Sequence, residues 1–341
     1  MTRSTLSQPD EQAKLLQIVG LCIAMIVLLI CLIYSITIGA RDISLTIILD
    51  SFTSFNSSFE HLVIQTVRLP RSLMAMMVGA ALAVSGALMQ GLTRNPLAET
   101  GILGIEAGGA LAVVITLFIF GNSSVSVYAG VAFLGAAIAA VLVYVLGTLG
   151  RGGATPLNLT VAGAAMTAFI TSITTAILIV SQQTLEQVRF WLAGSLAGRD
   201  FNLFLYVLPF LVTGLLLAFL LGRQITTLSL GEDIAKSLGQ QTVWIKVLTA
   251  ISVVLLAGSS VAIAGPIGFV GLVVPHMVRF FIKTDYRWIL PYSALLGAIL
   301  LLVSDMAARV LLKPQELPVG VMTAIIGAPV FVYLTKSKVK R

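Results

Sequence analysis

Long apolar runs recur along the whole chain, and they limit the possible folds more than any other feature. The first run covers residues 15–38, and about 20 apolar residues are enough for a helix to cross a bilayer. Unpaired backbone amides are costly in hydrocarbon, so runs of this length favour membrane helices. Only 10% of the residues are charged, whereas soluble domains carry about 25%. The sequence therefore predicts an all-α, polytopic membrane protein.

Ten such runs are separated by polar or charged segments, which predicts about ten transmembrane helices. The runs cover residues 15–38, 72–92, 102–120, 125–149, 157–180, 203–221, 243–264, 267–282, 289–312 and 318–334. They form one predicted transmembrane domain, residues 15–335, between an N-terminal tail (1–14) and a basic C-terminal tail (336–341). On the second run, Gly79 and Gly86 lie seven residues apart, a spacing that favours close helix packing.

The distribution of basic residues predicts the orientation. An even number of spans leaves both termini on one side, and in the ten-span arrangement two thirds of the 21 Lys and Arg residues lie on that side. Cytoplasmic loops carry such an excess, so both termini are predicted to be cytoplasmic in a plasma or inner membrane. The basic residues form no stripe with interleaved aromatic residues, which argues against nucleic-acid binding.

Motifs for catalysis or for cofactor binding are not found in the sequence. It contains no GxxxxGK[ST] loop for nucleotides and no HExxH or paired-cysteine motif for a metal. His61 and His276 lie far apart, and the acids nearest the middle of a span, Glu106 and Asp305, lie towards the ends of their runs. Ion-coupled transporters usually keep acids at mid-membrane. We therefore predict no enzyme activity, no cofactor and a partner that supplies energy. A secondary transporter and a polytopic membrane enzyme remain alternatives.

The segment TLSLGEDIAKSLGQQ, residues 227–241, predicts a short amphipathic helix in a cytoplasmic loop. Ser229 and Glu232 have the spacing of a capping box. Glu232 and Lys236 form an i,i+4 pair, and Gly239 is placed to end the helix. One small apolar face is formed by Ile234, Ala235 and Leu238. Such a helix either lies on the membrane surface or docks into a groove of another protein.

Two arginines in the motif RLPR, Arg68 and Arg71, lie at the predicted outer mouth of the second helix, against the charge bias. They either anchor the helix at the interface by snorkelling or pair with carboxylates of an extracytoplasmic partner. Arg309, at the outer end of the ninth run, fits the same role. It also has a local alternative, because Asp305 is four residues earlier on the same helix.

Three long segments resemble one known family. RLPRSLMAMMVGAALAVSGALMQGLTRNPLAETGILGIEAG resembles the second and third helices of FecCD-like permeases, and LSLGEDIAKSLG resembles their coupling segment. DMAARVLLKPQELPVGVMTAIIGAPVFVYL resembles their last two helices. These permeases are subunits of type II ATP-binding-cassette importers for ferric siderophores, haem and cobalamin. The resemblance covers the chain from about Arg68 to its end, whereas the first 67 residues match only in character.

The resemblance implies a permease subunit that pairs with a second permease, identical or paralogous, around a central pathway. Two separate ATPase subunits would power it, and an extracytoplasmic binding protein would deliver the substrate. Ferric siderophores are the implied substrate, with haem or cobalamin as the alternative. The implied mechanism is alternating access, in which ATP moves the coupling helices and the helices around the dimer axis rock.

The resemblance also assigns roles to individual residues. Arg68, Arg71 and Arg309 would dock the binding protein. The cytoplasmic gate would contain Asn95, Leu97, Thr155 and Pro156, although Pro156 departs from the small hydroxyl residues expected in the second gate loop. The contact with the ATPase would be made by Gly231, Glu232, Asp233, Ile234, Ala235, Lys236, Leu238 and Gly239.

Overall fold

The computed structural model describes residues 11–39, 42–121, 124–149, 155–313 and 315–339, and these residues form helices and loops with no strand among them. The ends of the two predicted tails, residues 1–10 and 340–341, lie outside the described residues. The α-helices are α1 (Glu11–Thr37), α2 (Leu45–Thr53), α3 (Phe59–Val63), α4 (Leu69–Thr93), α5 (Ile105–Phe120), α6 (Val125–Leu149), α7 (Pro156–Val180), α8 (Gln182–Leu192), α9 (Phe201–Leu230), α10 (Glu232–Ser237), α11 (Thr242–Val253), α12 (Ser259–Ala264), α13 (Val270–Phe281), α14 (Tyr286–Val310) and α15 (Val319–Val339). A π-helical turn joins α3 to α4 and another joins α11 to α12, and the 3-10 helix Thr100–Leu103 precedes α5.

Seven helical segments are long and apolar enough to cross a membrane. They are Lys14–Thr37, Phe59–Thr93, Val127–Leu149, Leu157–Val180, Phe201–Leu230, Thr242–Ala264 and Tyr286–Val310. Three shorter apolar helices accompany them: Ile105–Phe120, Val270–Phe281 and Val319–Tyr333. Each of the ten predicted runs corresponds to one of these segments, so the all-α, polytopic fold is confirmed.

Several helices continue beyond their apolar runs. The sixth run ends at residue 221, but α9 continues to Leu230. The polar residues are accommodated in this extension, because the Thr226 and Thr227 hydroxyls donate to the carbonyls of Gly222 and Arg223 one turn earlier and need no other partner. Hydrophobicity alone therefore underestimates helix length where hydroxyl side chains can bond back to the backbone.

The central helix of the bundle is α4, since 83% of the most apolar window of Phe59–Thr93 is buried. Gly79 faces Gly297 of α14, and Gly86 faces Gly271 of α13, so closely that an added Cβ would overlap the opposing carbonyl oxygen. Small residues let helix backbones approach in this way where lipid provides no hydrophobic driving force. The packing role predicted for Gly79 and Gly86 is thus explained by contacts with two different helices.

Two long helices leave most of their surface uncovered by the rest of the chain. Only 11% of the most apolar window of α1 is buried, and 17% of that of α7. The main partner of α1 is α14, where the Tyr292 hydroxyl donates to the Gln17 carbonyl oxygen at 2.6 Å. The uncovered apolar faces require lipid or other protein subunits around them.

Candidate functional site

The three arginines predicted to dock a partner lie together where α1 ends, α4 begins and α14 ends; we refer to Arg68, Arg71 and Arg309 as the arginine cluster. All three are buried, with 7%, 8% and 4% of their surface exposed. A buried guanidinium needs both an opposite charge and hydrogen-bond acceptors. The neighbours of the cluster are therefore as informative as the arginines.

Arg71 binds two carboxylates from distant parts of the sequence. Its Nε and Nη2 atoms donate to Asp305 Oδ1 at 3.0 and 2.9 Å. Its Nη1 atom donates to Glu316 Oε2 at 2.7 Å. Asp305 is fully buried, whereas 36% of the Glu316 side chain is exposed. Arg71 thus has one permanent internal partner and one partner at the surface.

The other two arginines bind the end of α1. Arg309 Nη1 donates to the carbonyl oxygens of Ser35 and Ile38, both at 2.9 Å, and its Nη2 atom lies 3.1 Å from Asp305 Oδ2. The local pairing of Arg309 with Asp305 is therefore confirmed. Arg68 Nη1 donates to the carbonyl oxygens of Ile36 and Thr37 at 2.8 and 2.7 Å. These carbonyls belong to the last turn of a helix and need donors from outside it.

The internal contacts explain why the cluster is buried, and the docking role stays a prediction. The role of Glu316 could not be predicted from the sequence, because 245 positions separate it from Arg71. The role of the α1 carbonyls could not be predicted either, because every residue type carries the same backbone acceptor.

The first predicted gate loop follows α4. The residue directly after this helix, Arg94, has the left-handed conformation (φ +52°). The Asn95 side-chain oxygen accepts the backbone N–H of Leu97 at 3.0 Å, which closes a tight turn, and the Leu97 side chain is exposed. The 3-10 helix after this loop packs on α7, where Thr167 Oγ1 donates to the Gly101 carbonyl oxygen at 3.4 Å. The loop is therefore mechanically connected to α7.

The second predicted gate loop leads into α7. Thr155 caps this helix, because its side-chain oxygen accepts the Asn158 backbone N–H at 3.2 Å. Pro156 is the first residue of α7, a position that suits proline because no helical partner is needed for its nitrogen. The side chain of Pro156 and residues 150–154 lie outside the described residues. The gate roles of both loops stay predictions.

The predicted amphipathic helix is observed as α10, but its start differs from the prediction. Ser229 still belongs to α9, and its hydroxyl donates to the Thr226 carbonyl oxygen at 2.7 Å. The prediction of a capping box is therefore wrong. Gly231, at φ +138°, lies between α9 and α10. Glycine tolerates this conformation because it has no Cβ. Gly239, at φ +78°, follows α10, as predicted for the end of the helix.

Glu232 forms two ion pairs, and one of them joins α10 to the bundle. Glu232 lies 3.2 Å from Lys236 of the same helix, as predicted, and 2.7 Å from Lys246 of α11. Ala235 is fully buried against the bundle, whereas Ile234 and Leu238 are 47% and 67% exposed. The predicted apolar face is therefore divided: one residue holds α10 in place, and two apolar side chains point away from the bundle. Asp233 is exposed beside them.

We refer to the ion pairs of Glu232 with Lys246 and Lys236 as the Glu232 clamp. This clamp predicts that the stability of α10 depends on pH. The hydrogen bond from Lys246, with a smaller effect from Lys236, lowers the pKa of Glu232 below its ordinary value despite partial burial. Because the pKa of Glu232 is lower in the folded protein, its charge stabilises the fold at any pH above the ordinary carboxyl pKa, about 4. This stability is lost as the pH falls through the lowered pKa of the folded protein. We expect hydrogen-exchange protection of α10 to fall only in acid, and Glu232→Gln to remove that dependence. Equal pH profiles in both proteins would contradict the clamp.

Comparison with known proteins agrees with this architecture. Residues 27–337 match the model of the FecCD transport family. The "Probable siderophore transport system permease protein YfiZ" of Bacillus subtilis is 49% identical over 92% of this chain and 97% of its own length. The ferric enterobactin transport system permease protein FepD of Escherichia coli is 39% identical over 93% of this chain and 94% of its own.

A solved structure has the same fold along most of the chain. It is an inward-facing conformation of a metal-chelate type ABC transporter, with a TM-score of 0.83 and 30% sequence identity. The match covers 93% of this chain and 98% of that one. The family model likewise spans most of the sequence. This chain is therefore a multi-pass membrane permease that belongs to the FecCD transport family.

Proposed function

We propose that this chain is the permease subunit of an ATP-binding-cassette importer that takes up ferric siderophores. The observation that carries the proposal is the 49% identity to a relative named as a siderophore transport permease, over nearly the full length of both chains. A second relative, 39% identical, is named for ferric enterobactin, itself an iron chelate. Haem and cobalamin are the alternative substrates.

The complex would contain two ATPase subunits, a second permease, identical or paralogous, and an extracytoplasmic binding protein. The uncovered apolar face of α7 supports a second permease, because a helix with this little internal packing offers a large surface to a partner. The end of the bundle that carries α10 would face the cytoplasm, together with both termini. The arginine cluster would then face the binding protein.

The exposed pair Ile234 and Leu238 supports α10 as the contact with the ATPase. Two large apolar side chains, one on α10 and one directly after it, offer an anchor for a groove in another protein, and an ion pair to α11 fixes the helix. Motion of that groove would reach α11 directly through Glu232 and Lys246. Alternating access needs a connection of this kind between ATP hydrolysis and the transmembrane helices.

Transport in proteoliposomes tests the proposal. The chain is reconstituted with its ATPase and binding protein, and uptake of radio-labelled ferric siderophore, haem and cobalamin is compared with and without internal ATP. We expect ATP-dependent uptake of the ferric siderophore. ATP-dependent uptake of haem or cobalamin alone would change the substrate, and uptake driven by a gradient without the ATPase would favour a secondary transporter instead.

Glu316 provides a specific test of the docking role. It is the exposed partner of Arg71, so an incoming carboxylate from a binding protein would compete with it. We expect Glu316→Gln to tighten binding of the binding protein up to about fivefold, the worth of one partly exposed ion pair. The dissociation constant is measured with the permease in nanodiscs.

Asp42→Asn is the matched control for this experiment. Its carboxylate lies 4.0 Å from Lys313 at the same end of the bundle and is largely exposed. The control removes the same charge from the same surface and an electrostatic attraction on Arg68, but it does not release Arg71. Equal changes in both variants would indicate a general charge effect, and no change in Glu316→Gln would exclude Arg71 as a docking residue.

A further inference from the structure

A cavity of about 380 Å³ lies between α6, α9 and α11, beside the start of α10. This volume is within the range of small-molecule sites, about 300–1,000 Å³. Its walls are almost entirely apolar; Phe133, Ala140, Val254 and Leu255 are among them. Val141 and Ile251 belong to the lining and are also exposed, so the cavity opens on the outer, apolar surface of the helices.

The polar side chains of the cavity include Arg94, Glu232 and Lys246, all near the start of α10. Arg94 Nη1 lies 4.0 Å from the position that a Cβ would take on Gly231, the residue before Glu232. Glu232 is already neutralised by Lys246 at 2.7 Å and by Lys236 at 3.2 Å. Arg94 makes no hydrogen bond or ion pair within the described parts of the chain. The cavity thus combines apolar walls with an excess positive charge at one end.

We propose that this cavity binds an anionic phospholipid, with an acyl chain between α6 and α11 and the phosphate beside Arg94 and Lys246. Basic pockets between transmembrane helices bind acidic head groups by this charge complementarity. A free phosphate ion could use only the basic end and would leave the apolar walls, which form most of the lining, without an occupant. A zwitterionic lipid would fill the same walls but would gain less from the net charge.

The position gives the lipid access to α10. Lys246, which would face the phosphate, is also the residue that holds Glu232. A bound phosphate would share Lys246 with Glu232 and so would weaken the ion pair that fixes α10 to α11. The binding test below does not depend on transport, so its outcome is independent of the proposed importer function.

Lipid retention tests the site. The full chain, purified with the subunits that accompany it, is placed in nanodiscs with equal amounts of phosphatidylglycerol and phosphatidylethanolamine. It is then moved into detergent, and the retained lipid is counted by native mass spectrometry. We expect phosphatidylglycerol to be retained preferentially. Arg94→Gln should reduce its retention about fivefold, the effect of one basic residue near an acidic lipid.

Two matched controls separate this site from other lipid contacts. Arg223→Gln removes an exposed cation of α9 that does not line the cavity and should leave retention unchanged. Ala250→Phe fills the cavity and should abolish retention of both lipids, whereas Val212→Phe, outside the cavity on α9, should not. Size-exclusion chromatography verifies that each variant remains folded.

Three outcomes would overturn the proposal. Equal retention of both phospholipids would mean that the charge does not select the head group. Retention that is insensitive to Arg94→Gln or to Ala250→Phe would place the lipid elsewhere. A complex that retains no lipid would mean that the cavity is not a lipid-binding site.

Discussion

Asp305→Asn is expected to lower the free energy of unfolding by about 3–5 kcal/mol, the usual cost of removing one partner from a buried ion pair. Asp305 is fully buried and binds both Arg71, at 2.9 Å, and Arg309, at 3.1 Å. Without its charge, Arg309 keeps only neutral acceptors in a site that excludes water. Thermal unfolding in detergent, followed by size-exclusion chromatography, measures the loss.

Glu316→Gln is the control for this prediction as well, because it removes the exposed partner of Arg71 and should cost less than about 1 kcal/mol. If Asp305→Asn unfolds at the same temperature as the parent, the arginine cluster does not depend on a buried counter-charge. The same contacts show that reversing all three arginines to Glu would test folding and docking together. A triple reversal would place new carboxylates beside Asp305, so Glu316→Gln is the better test of docking.

The second large effect is expected from Ile234→Asp combined with Leu238→Asp. Both side chains are largely exposed, so the change should leave the permease folded. Two charges in an apolar groove of a partner are each poorly solvated, so we expect the ATPase to be lost from the purified complex. Affinity purification on the permease, with the ATPase quantified against it, measures the result.

Leu149→Asp is the control, because it introduces one aspartate at an exposed apolar position at the end of α6, outside α10. It should keep the ATPase at full stoichiometry. If the double variant also keeps its ATPase, α10 is not the main contact. If both variants lose it, the result reflects general damage to the complex and the assignment of α10 fails in this form.

The sequence predicts most of the fold because a membrane helix is determined by one continuous run of residues. An apolar run signals such a helix without reference to the rest of the chain, so the ten runs predict the seven long segments and the three shorter apolar helices. Helix ends were less predictable. The start of α10 was wrong because Ser229 can either cap a new helix or bond back to Thr226, and the residue type does not distinguish these two states.

The candidate site was predictable only where its contacts are short in sequence. The pairs Arg309–Asp305 and Lys236–Glu232 lie one helical turn apart and were visible as i,i+4 spacings. The pairing of Lys246 with Glu232 depends on how α9, α10 and α11 turn back on each other, and the pairing of Arg71 with Glu316 joins the start of α4 to the loop before α15. Contacts of that kind are properties of the tertiary structure and not of any segment.

The close approach of α4 to α13 and α14 has a consequence for chimeric transporters. Gly79 and Gly86 meet Gly297 and Gly271 at backbone distance, so a side chain on any of the four displaces two helices. Exchanging α4 alone with a relative would join surfaces that were shaped separately. An exchange that keeps these glycine contacts must therefore carry α13 and α14 along with α4, although about 180 residues separate them in the chain. The packing of each of these three helices thus depends on the surfaces of the others.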